Sequence, residues 1–195
     1  MKTILRPALV LFALLTIICC AVYPLAVSAI SRIAFSDEAD GSIVTKDGKP
    51  VGSLLIGQAF SSPQYFWSRP SATGPMPNND EASSGSNLGP TNPAQIDAVK
   101  QRIAALKAAD PTNTMLVPVD LVTASGSGVD PEISPAAAYY QASRVATARK
   151  MNLEQVRGLI SRFTQDQALG FFGEARVNVL ALNLALDQSS APAAK

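Results

Sequence analysis

The chain has 195 residues, 47% of them hydrophobic and 16% charged, with a formal net charge of +1. That size suffices for one folded domain plus an unusually apolar extra. It contains no histidine, which excludes Ser-His-Asp and Cys-His catalysis and every His-containing metal site, and its balanced charge excludes a basic nucleic-acid-binding surface.

The apolar extra comes first. Residues 7–31 carry no charge and are bracketed by Arg6 and Arg32. As a helix they would span about 37 Å, enough to cross a bilayer with some tilt. A cleaved secretory signal is the competing reading, with Lys2 and Arg6 as a basic head and Val27-Ser28-Ala29 as a small-residue cleavage site. The run exceeds the usual apolar region of a signal, about 7–15 residues, so an uncleaved anchor is favoured. Ile18 ahead of Cys19 is too bulky for a lipoprotein site. Lys2 and Arg6 place the N-terminus in the cytoplasm and the remaining mass outside. Both cysteines, Cys19 and Cys20, fall inside the span, so the outer domain must fold on its apolar core without a disulfide.

The organisation that follows is 1–33 as cytoplasmic tip and anchor, 34–42 as juxtamembrane linker and 43–195 as the extracytoplasmic domain. Apolar runs at 43–47 and 51–57 flank Asp47-Gly48, a hairpin signal, with Pro50 arguing for a connection longer than two residues. Residues 61–92 are punctuated by Pro63, Pro70, Pro75, Pro77 and Pro90 and read as a long irregular binding segment. Asn92-Pro93 caps a helix whose Ile96, Val99, Ile103 and Leu106 share one face, and Pro111 ends the run. LVPVDLVT at 116–123 reads as a strand, placed at an edge by Pro118. Ser134-Pro135 opens a second helix to about Lys150, and Asn152 with Gln155 opens a third. RVNVLALNLALD at 176–187 alternates like a strand, yet its Ala/Leu content favours a helix. The fold class is α+β: a small sheet with three to four helices in an extracytoplasmic domain, on a single N-terminal transmembrane helix.

Short motifs fail on their chemistry. Gly52 and Gly57 have the glycine spacing of a phosphate loop, but Gln58 stands where its lysine belongs and Ala59 where its Ser/Thr belongs. Ser127 in VTASGSGVDPEIS lacks the glycine a nucleophile elbow needs at position 125, and no base accompanies it. Asp120, Asp130 and Glu132 do not follow the spacing of a calcium loop and fit solvated or helix-capping roles. Tyr65-Phe66-Trp67, followed by Arg69, packs against the sheet or anchors a partner, since aromatics and Arg dominate interfaces.

Seven blocks in order, among them GSLLIGQAF (52–60), YFWSRPSA (65–72), SGSNLGPTNP (84–93), VPVDLVTASGSGVDPEISPAAA (117–138) and QASRVATAR (141–149), together give a specific signature. On them the chain resembles the C subunit of the bacterial Kdp potassium-transporting ATPase, over nearly its full length. The resemblance implies a non-catalytic accessory subunit in the bacterial cell membrane, needed for assembly and activity of an ATP-driven potassium uptake complex. Its partners would be a potassium-conducting subunit and a P-type ATPase subunit, which handle potassium and ATP themselves, so no cofactor is expected here. It also implies a catalytic-chaperone role raising ATP affinity, with Gln141 contacting nucleotide. An outward domain puts Gln141 beyond cytoplasmic ATP, so any such effect must pass through the partners as a coupling free energy. The contact candidates are Tyr65, Phe66, Trp67, Arg69 and Asn87 in the irregular segment and Ser125, Gly126, Ser127 and Gly128 in the later loop. The family pattern reads Ser-Gly-Gly-Ser-Asn where this chain has Ser83-Ser84-Gly85-Ser86-Asn87, so a positive φ at position 84 would strain Ser84. The alternatives are a membrane-anchored envelope binding module and a hydrolase using Asp120 and Asp130.

Overall fold

The computed structural model describes residues 2–190. The chain divides into two compact units, one running to Val51 and the other starting at Gly52.

The first unit is dominated by one long helix. It is built as α1 (Lys2–Ile17), a π-helical turn (Ile18–Val22) and α2 (Tyr23–Ala34). Pro24 has no N–H to give the Cys20 carbonyl, and its ring crowds that group. The wider turn absorbs the conflict: the Tyr23 N–H donates to Ile18 O, five residues back. Thr3–Ala34 is long and apolar enough to cross a membrane. The segment expected as a linker contains a single helical turn, α3 (Ser36–Ala39), with Asp37 and Glu38 at its favourable N-terminal end. Strands β1 (Ile43–Lys46) and β2 (Lys49–Ser53) form a hairpin. Its loop is only Asp47 and Gly48, with φ of 52° and 74°, and so is shorter than Pro50 suggested. Pro50 is tolerated because β2 pairs on one side only.

The second unit is the α+β domain. Its three-stranded antiparallel sheet has the order β3 (Glu132–Ile133), β5 (Arg176–Asn178), β4 (Thr164–Gln165). Val177 at its centre pairs with Ile133 on one side and Thr164 on the other. Helices α5 (Pro135–Arg149), α6 (Leu153–Phe163) and α7 (Val179–Ser190) pack against this sheet, and α4 (Pro93–Ala109) lies beside the irregular segment, where Arg102 donates to the Val122 carbonyl. The core joins Ile133 and Val177 to Ala137, Ala138, Ala142 and Val145 of α5, Val156 and Ile160 of α6, and Leu182 and Leu186 of α7. The small side chains of α5 let its neighbours approach closely.

Caps form where the sequence places them. Asn92 accepts from the Ala94 N–H, Ser134 from Ala137, and Asn152 with Gln155 completes a capping box. Asn178 caps α7 by accepting from the Ala181 N–H, so RVN is strand and the alternating leucines that follow are helical. The α5–α6 corner turns through Lys150 in the left-handed conformation, where Met151 N donates to Ala146 O.

One element is corrected. LVPVDLVT contains no strand: Val119–Leu121 is a 3-10 turn. The Thr123 N–H and hydroxyl both donate to Val119 O, at 2.9 and 2.8 Å, so the backbone is satisfied locally. Leu121 and Val122 are both buried, without the alternation of a strand. Positive φ in the 83–87 block falls at Asn87 (53°) and not at Ser84, which is therefore unstrained.

Candidate functional site

An irregular segment that enters the core must satisfy its backbone N–H and C=O groups there without a sheet neighbour. Residues 63–67, which run from the exposed Pro63 to the buried Phe66 and half-buried Trp67, do so through side chains of α5 and α7. Asn183 of α7 accepts from Phe66 N at 2.8 Å and donates to Phe66 O at 3.0 Å. Gln141 of α5 does the same for the next residue, accepting from Trp67 N at 2.8 Å and donating to Trp67 O at 3.2 Å. Two carboxamides thus replace the two strands that would flank these residues in a sheet. Gln141 is 1% exposed and Asn183 2%.

Arginines complete the clamp. Arg144 donates from Nη1 to Pro63 O (2.6 Å) and Tyr65 O (3.0 Å), and from Nη2 to Gln141 Oε1 (2.6 Å). Its guanidinium also lies 4.1 Å from the centre of the Trp67 ring. Burial pushes its pKa down to about 10, against a smaller upward pull from Asp110, so it stays protonated at neutral pH. Arg149 pairs with Asp187 of α7 at 2.8 Å and stacks on Tyr65, whose hydroxyl donates to the same carboxylate at 3.3 Å.

The second predicted region lies against the first. Ser125 N donates to Pro70 O at 3.0 Å, Ser71 Oγ donates to Gly128 O at 2.6 Å, and Ser83 Oγ donates to Ser127 O at 3.0 Å. Gly128 has φ of 71°, and a Cβ there would run into Thr73 and the Ser84 carbonyl. The glycines and serines of VTASGSGVDPEIS therefore dock this loop onto residues 70–85.

The contact candidates separate by burial. Phe66 is 0% exposed and belongs to the core, and Ser125 and Gly128 are also interior, so none of the three is offered to a partner. The clamp fixes Phe66, whereas Ser125 and Gly128 are held by their own mutual hydrogen bond and by the docking of their loop on Pro70 and Ser71. Tyr65, Trp67 and Arg69 are half-buried, while Asn87, Gly126 and Ser127 are exposed. Gln141 has both amide atoms engaged inside the domain, leaving no free polar atom for a nucleotide in this conformation.

The carboxylates have structural tasks. Asp130 pairs with Arg69 at 2.9 Å and accepts from Glu132 N, Glu132 pairs with Arg176 at 2.9 Å, and Asp120 accepts from Ser134 N at the start of α5. Among the described residues no group of three or more His, Cys, Asp or Glu is placed to hold a metal ion.

Sequence reasoning missed one surface. Between β4 and β5 a tight hairpin pairs Ala168 with Phe172, and its tip exposes Leu169 (83%), Phe171 (66%) and Phe172. Two phenylalanines between glycines, with a leucine just before them in LGFFG, were the available signal.

The family model described as "K+-transporting ATPase, c chain" matches residues 5–188. The chain belongs to that family. Relatives match over nearly the full length: the "Potassium-transporting ATPase KdpC subunit" of Janthinobacterium sp. (strain Marseille) is 69% identical, covering 96% of this chain and 100% of the relative. The proteins of the same name from Herminiimonas arsenicoxydans (70% identical, 96% and 99% covered) and Polaromonas naphthalenivorans (63%, 96% and 95%) agree.

Proposed function

We propose that this chain is the non-catalytic accessory subunit of an ATP-driven potassium uptake complex. It is anchored in the bacterial cell membrane by Thr3–Ala34, with its N-terminus cytoplasmic and its α+β domain outside. The observation that carries the reading is the family match over residues 5–188, and the candidate hydrolase groups Asp120, Asp130, Glu132 and Ser125 each have a partner within the fold. Potassium and ATP are handled by a potassium-conducting subunit and a P-type ATPase subunit. This chain helps the two assemble and work together.

The surfaces free for that contact are Asn87, Gly126 and Ser127, together with the apolar hairpin tip at Leu169, Phe171 and Phe172. Gln141 serves by holding the Trp67 backbone. Any effect of Gln141 on nucleotide affinity therefore reaches the ATPase subunit as a change in domain shape or stability. In its native host, deletion of this chain should abolish growth at limiting potassium, and reintroduction should restore it. Unchanged growth and potassium uptake in the deletion strain would overturn the reading.

A further inference from the structure

A cavity of about 410 Å³ opens between the irregular segment and α4, with Phe60, Trp67, Pro70 and Leu121 on its apolar walls and Arg69 and Arg102 among its polar ones. That volume falls in the range of small-molecule sites, about 300–1,000 Å³. One wall is held firmly: the Trp67 indole donates to Ser62 O at 3.0 Å and lies beneath Arg144.

The two cavity arginines differ. Arg69 is neutralised by Asp130 at 2.9 Å. Arg102 donates from Nη1 to the Val122 carbonyl at 2.8 Å and, among the described residues, has no carboxylate partner. Burial alone lowers its pKa from the ordinary guanidinium value, with no neighbouring acid to raise it. With Nη1 committed, the Nε–Nη2 edge is left without a protein acceptor, and that edge is the one a carboxylate or phosphate takes with two parallel hydrogen bonds. A partly desolvated cation beside an aromatic wall is a recognition pair for a ligand that is apolar at one end and anionic at the other.

We propose that this cavity binds a small amphipathic anion, a flat apolar body bearing one carboxylate or phosphate, with the body against Trp67 and Phe60 and the anionic group on Arg102. The site is independent of the transport reading.

Trp67 is the chain's single tryptophan, so its fluorescence reports occupancy of the cavity directly. The full-length chain in detergent is titrated with phenylacetate, phenyl phosphate and neutral phenylacetamide. At least one anion should give a saturable change, at least about tenfold tighter than phenylacetamide, and the tighter anion identifies the preferred head group. Arg102→Gln should weaken that anion by about tenfold or more, and Arg102→Lys should retain part of the affinity. The proposal is overturned if neither anion saturates below about 10 mM, if amide and anion titrate alike, or if Arg102→Gln binds as tightly as the unaltered chain. The anion-to-amide comparison uses the unaltered protein and does not depend on the variants folding.

Discussion

Replacing Gln141 by Leu is the sharpest probe of the clamp. The side chain is close in volume, so packing changes little, but four hydrogen bonds disappear: two to Trp67, one to Ala137 O and one from Arg144. The helical Ala137 carbonyl keeps its backbone partner, and Arg144 keeps the Pro63 and Tyr65 carbonyls. The Trp67 N–H and C=O are left facing an apolar side chain. An orphaned buried polar group costs about 1–3 kcal/mol, so the pair predicts a loss of about 2–6 kcal/mol. For a domain of this size that corresponds to a fall in Tm of at least about 5 °C. Urea unfolding followed by Trp67 fluorescence measures the loss directly. Should Gln141→Leu unfold within about 0.5 kcal/mol of the unaltered chain, the clamp is not what Gln141 is for. Reduced ATP affinity of the assembled complex with unchanged stability of this subunit would also refute the reasoning, because it would separate Gln141 from the Trp67 backbone.

Three further outcomes follow from the same geometry. Arg144→Met should cost about 2–5 kcal/mol, since it strips donors from the Pro63 and Tyr65 carbonyls. Arg144 titrates at about 10 when folded, below its unfolded value, so the cost of burying its charge is fully present below that pH and relieved only above it. The stability gap between Arg144→Met and the unaltered chain should therefore be constant from about pH 6 to about pH 9, and a gap that varies there would contradict the assignment. Lys150→Gly should stabilise the domain by about 0.5–1 kcal/mol, because Lys150 holds an exposed left-handed corner at φ 55°; a loss in thermal unfolding would refute this. Gly57→Ala should destabilise by about 1–3 kcal/mol in the same assay, since its Cβ would meet the Asp130 carbonyl and disturb the bond from Gly57 N to Val129 O.

Helices were legible because their signals are local. Asn92-Pro93, Ser134-Pro135 and Asn152 with Gln155 specify caps within four residues, and Val156 and Ile160 repeat at the helical period. Val119–Leu121 was misread because β-branched residues resemble a strand until the bonds back to Val119 O are known. The clamp was illegible for a different reason. Gln141 and Trp67 are separated by 74 positions and Asn183 and Phe66 by 117, and no periodicity relates a carboxamide to a distant backbone amide. Burial of Phe66 follows from that clamp, so the aromatic triplet could be read as core or as contact surface until the structure separated its members. The serines and glycines of residues 122–134 excluded catalysis by what they lacked, but their docking onto residues 70–85 depends on three-dimensional proximity.

Two measurements locate the chain in the cell. Gln141 is unsuitable for labelling because it is buried, whereas Ser127 is exposed. With Cys19 and Cys20 replaced by Ala, Ser127→Cys should react with an impermeant thiol reagent in cells whose outer layers admit it; protection until the membrane is opened would reverse the proposed topology. The most direct test of the accessory-subunit account is to purify the tagged chain from its native membranes under mild detergent. The account predicts that a potassium-conducting subunit and a P-type ATPase subunit co-purify and that the preparation hydrolyses ATP in response to potassium. A stable chain recovered without either subunit would contradict it.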